Sequence, residues 1–487
     1  MDKSFTNKSE NNGSESNSGK MTASLKETMA YLNERLTVDT CFDIVYRVIK
    51  VGGRDACMYF IDGFCKDELM QKMLQYFMDL TEDEMPKDAH EMSKKCVPYV
   101  EVDLKEDWEG ILYGLLSGVF VLFIDGYTQA IMIDSRTYPA RSVGEPEKDK
   151  VLRGSKDGFV ETIIFNTALI RRRIRSTDFR VEMMSAGKNS KTDIAVCYMD
   201  SRVDKKFLEK IKNRIRDIKV DALTMNQESL AECLYERRWY NPFPKFKYSE
   251  RPDTAAAQIL EGNIVILVDN SPSAMIMPTS IFDVVEEADD YYFPPITGTY
   301  LRLSRFLIAI LTYLMTPTFL LLMNTREYIP EAFQFIILKE PENIPLIWQF
   351  LILELAIDGL RLAAVNTPNM LSTPLSVMAA LVLGEFSVNS GWFNAEVMLY
   401  MAFVAIANYT QANYELGYAL KFMRILTLIL TGLFGIWGYI GGIAICLLFV
   451  VTNKTVSEKS YIYPLLPLNL KKLCSRLFRL RLPEARK

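Results

Sequence analysis

The fold is decided by the stretch FLIAILTYLMTPTFLLLM, residues 306–323, which runs for 18 residues without a charge. A helix of that length and composition is long enough to cross the hydrocarbon core of a bilayer. Arg302 and Arg305 come just before it, and charged residues crowd the first 300 positions and the last 35. This partition predicts an integral membrane protein with a large soluble head followed by a bundle of apolar helices.

Composition excludes several classes of function. A formal charge of -4 over 487 residues gives no support to a nucleic-acid partner. The chain has one histidine, His90, and its eight cysteines contain no CxxC pair. These counts argue against histidine-based triads and HExxH metal sites. We therefore expect no enzyme, no cofactor and no metal.

The head contains an internal echo. DACMYFIDG (55–63), followed by WEGILYGLLSGVFVLFIDGYTQAIMID (108–134), is repeated as DIAVCYMDS (193–201), followed by TAAAQILEGNIVILVDNSPSAMIMP (254–278). Four aspartates occupy matching strand ends and tight hairpin turns, namely Asp62, Asp200, Asp125 and Asp269. We interpret the echo as two similar α/β lobes, against chance likeness of two β-α-β-β pieces. The aspartates are interpreted as turn formers rather than ligands.

These patterns predict an α+β two-lobed cytosolic head followed by an all-α multi-helix transmembrane domain. The predicted divisions are a disordered polar tail (1–24), the first lobe (25–144), a linking helical segment (145–192), the second lobe (193–300), the transmembrane domain (301–455) and a basic amphipathic cytosolic tail (456–487). The tail suits an anionic leaflet, because leucines alternate there with lysines and arginines at helical spacing.

The linking segment contains ETIIFNTALIRRRIR, with a basic cluster at its carboxyl end made of Arg171, Arg172, Arg173 and Arg175. A helix dipole favours cations at that end. Two interpretations remain open. The cluster is either the solvated end of an interdomain helix or a docking surface for an acidic neighbour, another subunit or anionic headgroups.

Residues 346–365 are apolar except for Glu354, Asp358 and Arg361, which share one helical face. Charges inside a membrane are costly and are expected to pair or to face a polar interior. We favour a paired cluster in an oligomeric bundle that holds helices in register. An amphipathic helix at the interface and direct contact with a permeating ion are the alternatives.

Small polar residues beside Pro368 and Pro374 are typical of a broken helix that lines a wet path. The predicted pore-lining or gating residues are Asn366, Thr367, Ser372, Thr373, Ser376 and Val377, the last as an apolar gate. The same residues would also suit an extramembrane loop. Two further apolar segments follow, around 397–408 and at 425–451, the latter either one long tilted span or a tight re-entrant hairpin.

Three stretches carry a family resemblance: VLRGSKDGFVETIIFNTALIRRRIR (151–175), YNPFPKFKYSERPDTAAAQILEGNIVILVDNSPSAMIMPTS (240–280) and ADDYYFPP (288–295). Through them the chain resembles the A-subunit (GerA) family of bacterial spore germination receptors, and within it the SpoVAF branch. One departure is LELAIDGLRLAAV (353–365), where receptor A-subunits carry a pattern like FELLREAGIRLP. Gly359 and Arg361 match that pattern, whereas the acids before the glycine do not align.

The resemblance implies a multi-pass protein of the spore inner membrane with its amino-terminal head in the cytosol. It implies a homo-oligomeric ring, with a pentamer expected, that conducts monovalent cations at the start of germination. Another membrane protein of the germination machinery is the implied partner, and the branch is expected to amplify the response. A non-conducting scaffold and a secondary transporter are the rival functions, although a transporter favours repeats within its membrane region.

Overall fold

The computed structural model describes residues 20–65, 67–136, 150–235, 240–367, 377–411 and 413–479. It contains two antiparallel five-stranded sheets with flanking helices, followed by a helical region rich in apolar helices. The predicted fold class is confirmed. The predicted pore residues Ser372, Thr373 and Ser376 lie outside the described residues.

The first unit surrounds a sheet of order β1-β2-β4-β5-β3. Its strands are β1 (Ile44–Val51), β2 (Arg54–Ile61), β3 (Val102–Lys105), β4 (Phe120–Ile124) and β5 (Ala130–Ile133). Its helices are α1 (Leu25–Leu36), α2 (Asp67–Asp79), α3 (Ala89–Lys95) and α4 (Trp108–Leu116). Alternate residues of β2 face opposite cores: Cys57 and Tyr59 pack with α1 and α4, whereas Ala56 and Met58 pack with α2 and α3. Because both faces are covered, β4 and β5 are apolar throughout.

The second unit repeats this topology with the order β6-β7-β9-β10-β8. Its strands are β6 (Phe179–Ala186), β7 (Thr192–Met199), β8 (Lys247–Ser249), β9 (Ile264–Val268) and β10 (Ala274–Met277). Its helices are α5 (Ile163–Arg173), α6 (Lys205–Arg216), α7 (Asn226–Leu234) and α8 (Pro252–Leu260). The segment expected to link the lobes supplies α5 and β6, so the boundary drawn at residue 193 falls inside the β6-β7 hairpin.

The matching aspartates sit at matching places. Asp125 accepts a hydrogen bond from the Leu25 amide at 2.9 Å, and Asp269 accepts one from the Ile163 amide at 3.3 Å. Each carboxylate thus holds the first turn of the helix that opens its unit. Each aspartate lies in a tight turn, as predicted, because the Tyr127 amide donates to the Ile124 carbonyl at 3.1 Å and the Ser271 amide donates to the Val268 carbonyl at 3.2 Å. The whole connections span residues 125–129 and 269–273.

The helical region begins with two short helices, α9 (Ile281–Val285) and α10 (Asp289–Tyr292). The longer helices are α11 (Pro295–Asn324), α12 (Leu346–Asn366), α13 (Val377–Asn389), α14 (Ala395–Tyr409), α15 (Tyr414–Phe434) and α16 (Ile436–Thr452), followed by α17 (Leu470–Leu477). Within the described residues, α11 and α15 are long and apolar enough to cross a membrane.

Helices α15 and α16 form a hairpin that turns at Gly435, whose φ of 57° is in the left-handed region. The sequence predicts either one long tilted span or a tight re-entrant hairpin for residues 425–451. The hairpin is present, but its first arm begins at Tyr414 and is itself long enough to cross a membrane. Its polar first half is helical because Leu416, Ala419 and Met423 pack in a buried apolar cluster.

The chain leaves the head through α11 and returns to it after α16. The Ile281 amide donates to the Tyr461 carbonyl at 3.0 Å. Val456, with 1% exposure, joins the apolar core of the second sheet. The ends of α11 and α16 that adjoin the head therefore lie on the same side of the helical region.

Candidate functional site

A cluster of opposite charges lies within the helical region between α12 and α15. The Arg424 guanidinium donates to Glu354 from Nε at 2.8 Å and from Nη2 at 2.6 Å. Lys421 lies 3.5 Å from the second Glu354 oxygen and also pairs with Asp358. We call these four residues the bundle cluster. Spacings of four on α12 and three on α15 put each pair on one helical face.

Burial makes this pairing necessary. Side-chain exposure is 7% for Glu354, 5% for Lys421 and 2% for Arg424. An ionised side chain at such a site is stabilised only by a partner of opposite charge or by several hydrogen bonds. The cluster is therefore a fixed structural joint between α12 and α15, built within one chain.

The same joint reaches α11 and α16. Arg424 Nη1 donates to the Thr312 carbonyl of α11 at 3.0 Å. One turn away, Tyr313 Oη lies 2.9 Å from Thr427 Oγ1 and donates to the Gly442 carbonyl at 3.2 Å. Polar contacts thus connect four helices through their buried sides.

Arg361 lies apart from the bundle cluster. Its guanidinium is stacked over the rings of Tyr409, at 4.9 Å, and Tyr418, at 5.4 Å. The structure thus brings Glu354 and Asp358 together with Lys421 but places Arg361 at the end of α12 nearer the head. Sequence reasoning missed Lys421 and Arg424, although two cations three residues apart beside the apolar run at 425–434 were an available signal.

A second charged cluster lies where α11 leaves the head. The Asp290 side chain has no exposed surface. It accepts hydrogen bonds from Arg302 Nε at 3.2 Å and from Arg305 Nη1 at 3.1 Å. Arg302 Nη2 also donates to Glu286 at 3.1 Å. Arg305 Nη1 also donates to the Val285 carbonyl at 3.0 Å. We call these residues the elbow cluster. From the sequence, Arg302 and Arg305 were noted only as charges that precede the apolar run at 306–323.

The carboxyl-terminal helix joins the elbow cluster. Arg476 of α17 lies 2.7 Å from Asp283 and 3.1 Å from Glu286. Burial works against its charge, but these carboxylates outweigh that effect and raise the pKa of the guanidinium. The Arg476 carbonyl in turn accepts from Arg302 Nη1 at 2.8 Å. Helix α17 is thereby fastened to the base of α11.

The arginines of the predicted basic cluster differ in their partners, and two of them contact the first unit of the head. Arg171 is fully buried, donates to Asp43 of the first unit at 2.8 and 3.1 Å, and stacks on Phe179 at 4.4 Å. Burial opposes its charge, yet Asp43 raises the pKa of the guanidinium. Arg175 Nη1 donates to Tyr113 Oη at 3.2 Å, also in the first unit. Arg171 thus joins the two units and is not available to an outside partner.

The two remaining arginines of the basic cluster stay near their own helix. Arg173 lies 2.9 Å from Asp157, and Arg172 lies 4.0 Å from the same carboxylate.

Among the described residues, no group of three or more His, Cys, Asp or Glu side chains is placed to hold a metal ion.

The described pore candidates sit at the ends of two helices. Asn366 is the last residue of α12, and Thr367 Oγ1 donates to the Ala363 carbonyl at 2.6 Å. Val377 is the first residue of α13 and is 54% exposed. These three residues stay predictions as pore-lining groups.

Comparison with known proteins gives consistent matches. The family model described as Bacillus/Clostridium GerA spore germination protein matches residues 30–487. The chain is 34% identical over 457 residues to stage V sporulation protein AF of Bacillus subtilis strain 168, covering 94% of this chain and 92% of that protein. It is 27% identical to spore germination protein KA of the same strain, covering 91% and 82%. A similar solved structure is the N-terminal domain of the A subunit of the Bacillus megaterium spore germinant receptor GerK3, with 24% identity, a TM-score of 0.41, and coverage of 53% of this chain and 96% of that one.

Proposed function

This chain belongs to the GerA family of spore germination proteins, and we propose that it acts at the start of germination as a cation-conducting channel of the spore inner membrane. The amino-terminal head lies in the cytosol, and several copies form a ring around the ion path. Monovalent cations pass through this path. Another membrane protein of the germination machinery is its partner, and the channel amplifies ion release.

The observation that carries the proposal is that large apolar side chains of α13, and of the outer face of α12, are exposed on the surface of the single chain. Val377, Met378, Val382 and Phe386 of α13 are each at least 54% exposed. On α12, Leu355, Leu362 and Val365 are exposed by 64% or more. A bilayer alone would cover such apolar residues, but the glycines on these helices favour protein neighbours.

Those glycines are Gly359 on α12 and Gly384 on α13. A Cβ built on either glycine meets no atom within 4 Å. Small residues on open faces allow the backbones of membrane helices to approach closely. Copies of the chain meeting along α12 and α13 would place the helix ends that carry Asn366, Thr367 and Val377 toward the centre of a ring.

The elbow cluster supplies a path from the head to this region. Asp290, Glu286 and Asp283 belong to the segment that follows the second sheet, whereas Arg302 and Arg305 belong to α11. A rotation of the heads would therefore move α11 as a rigid extension. The gating mechanism we propose is a population shift between two arrangements of α11 against its neighbours.

The test is monovalent cation flux into vesicles that contain the full chain, with its germination partners supplied. Ser376→Cys is compared with Leu447→Cys, a control on α16 with 59% exposure, and both are built in a parent with Cys233→Ser and Cys474→Ser. We expect a thiol-reactive blocker to stop flux through Ser376→Cys and to leave the control and the parent unaffected. Absence of flux from every form would move the function to a non-conducting scaffold.

A further inference from the structure

The segment from Leu465 to Phe478, which includes α17, presents apolar side chains to the outside. Five large apolar residues are between 45% and 65% exposed, namely Leu465, Leu466, Leu468, Leu470 and Phe478. Lys471 and Lys472 are exposed beside them. An apolar patch bordered by lysines is unfavourable in water and is typical of a surface that another phase or partner covers.

The position of the segment identifies what covers it. The Arg479 amide donates to Thr299 Oγ1 at 3.0 Å, and the Arg476 carbonyl accepts from Arg302 at 2.8 Å. Thr299 and Arg302 precede the uncharged run that begins at Phe306 by about 10 and 6 Å along the helix, at 1.5 Å per residue. The headgroup layer on each side of a bilayer is about 5 to 7 Å thick. Arg302, and with it Arg476 of α17, therefore lies at headgroup depth, whereas Thr299 lies just beyond the headgroup layer.

The neighbouring turns of α11 have the same character. Ile296, Tyr300, Leu303 and Leu307 lie on one helical face and are exposed by 40% or more. An exposed tyrosine just outside a span is typical of the aromatic belt at a membrane surface. The exposed face thus continues from the span of α11 into the level occupied by α17.

We propose that residues 465–478 bind the anionic phospholipid headgroups of the leaflet that faces the head. The leucines and Phe478 enter the boundary between headgroups and acyl chains, while Lys471 and Lys472 contact the phosphates. Because α17 holds Glu286 through Arg476, lipid bound here stabilises the elbow cluster. The inference rests on the proposed membrane insertion of α11 but not on ion conduction, so an absence of flux leaves it standing.

Two native thiols provide the test. Cys474 is exposed on α17, one turn from Leu470, and Cys233 is exposed on α7 of the head. The full chain carries a fluorophore on Cys474 in a Cys233→Ser background, or on Cys233 in a Cys474→Ser background. It is placed in phosphatidylcholine vesicles with or without phosphatidylglycerol. Quenching by a nitroxide attached to the lipid reports contact with the bilayer.

We expect the Cys474 label to be quenched, more strongly with phosphatidylglycerol and less at high salt, and the Cys233 label to stay unquenched. Lys471→Gln with Lys472→Gln should lower the preference of residues 465–478 for vesicles with phosphatidylglycerol over vesicles without it by roughly tenfold or more. Each lysine near such a surface contributes about 1 kcal/mol. The control, Lys188→Gln with Lys191→Gln in the β6-β7 turn, makes the same change in charge and leaves quenching unaltered.

Two outcomes overturn the proposal. Equal quenching in both lipids that survives the loss of Lys471 and Lys472 would show that anionic headgroups are not recognised. A Cys474 label shielded from both the lipid nitroxide and aqueous iodide would show that protein covers the segment, as a neighbouring copy would.

Discussion

Arg424 on α15 holds Glu354 on α12 through two hydrogen bonds to one carboxylate oxygen, from Nε at 2.8 Å and from Nη2 at 2.6 Å. Neither side chain has more than 7% exposure. Seventy positions separate the two residues along the chain. The pair fixes the position of α15 against α12, a helix that lines the proposed ion path, and its loss is expected to lower both stability and assembly.

Replacing Glu354 by Gln leaves Arg424 buried beside a neutral amide. Breaking one side of a buried ion pair costs about 3 to 5 kcal/mol, so we expect a marked fall in the thermal midpoint of the detergent-solubilised chain. The double variant Glu354→Leu with Arg424→Met should recover much of the loss, because it removes both charges. Glu327→Gln, at an exposed position, serves as the control and should change stability by less than about 0.5 kcal/mol. Equal effects of Glu354→Gln and Glu327→Gln would contradict the buried pair.

Replacing Asp290 by Asn removes the carboxylate that Arg302 and Arg305 share. Arg302 keeps Glu286 and Arg305 keeps Glu287, but the buried carboxylate that both arginines contact becomes neutral, so the elbow should open locally at a cost of a few kcal/mol. The measurement is hydrogen exchange, which should speed up at residues 285–305 and stay unchanged in the first sheet. Asp289→Asn is the matched control, because Asp289 is part-exposed and accepts one hydrogen bond from the Leu152 amide at 3.2 Å. Unaltered exchange at the elbow in Asp290→Asn would count against its role in coupling.

Replacing Val456 by Ala tests whether the chain is fastened to the head after α16. Val456 is 1% exposed within the second core, and the loss of two buried methyl groups with the resulting cavity costs about 2 kcal/mol. We expect faster proteolysis within residues 453–463. Lys459→Gln, which breaks an exposed 3.3 Å pair with Asp204, should have almost no effect. The fastening would be refuted by equal cleavage rates in the two variants.

The first sheet is expected to lose stability in alkali. Burial raises the pKa of the Cys57 thiol from 9.0 to about 12, and burial likewise raises the pKa of Tyr127 to about 12. The folded state holds both protons more tightly than the unfolded state does. The resulting stability is complete below pH 9.0 and is lost as pH rises toward about 12.

The measurement is denaturant unfolding of the chain below and within this pH window. Cys57→Ala should lower stability at neutral pH but flatten its fall with rising pH. Cys474→Ala, which removes an exposed thiol, should leave the slope as it is in the parent. A slope unchanged by Cys57→Ala would mean that the thiol keeps its ordinary pKa.

The sequence was informative wherever a structure depends on neighbours along the chain. Alternation and apolar runs predicted α+β lobes, and the echo of DACMYFIDG in DIAVCYMDS corresponds to strands β2 and β7 in the same place of two equivalent sheets. The uncharged run at 306–323 predicted that α11 is long and apolar enough to cross a membrane. These signals are readable because side-chain periodicity and span length are local properties.

The partners of the charged residues were decided by tertiary structure. Glu354, Asp358 and Arg361 are close in sequence, yet the carboxylates bind Lys421 and Arg424 of α15, while Arg361 stacks on Tyr409 and Tyr418. Arg171, grouped by sequence with three other arginines, is buried against Asp43, 128 positions away. Helical periodicity determines which face of an element is buried, whereas the residue that meets a buried charge depends on which elements pack together. The sequence alone therefore determined the elements and their amphipathic faces, and the fold decided which charges neutralise one another.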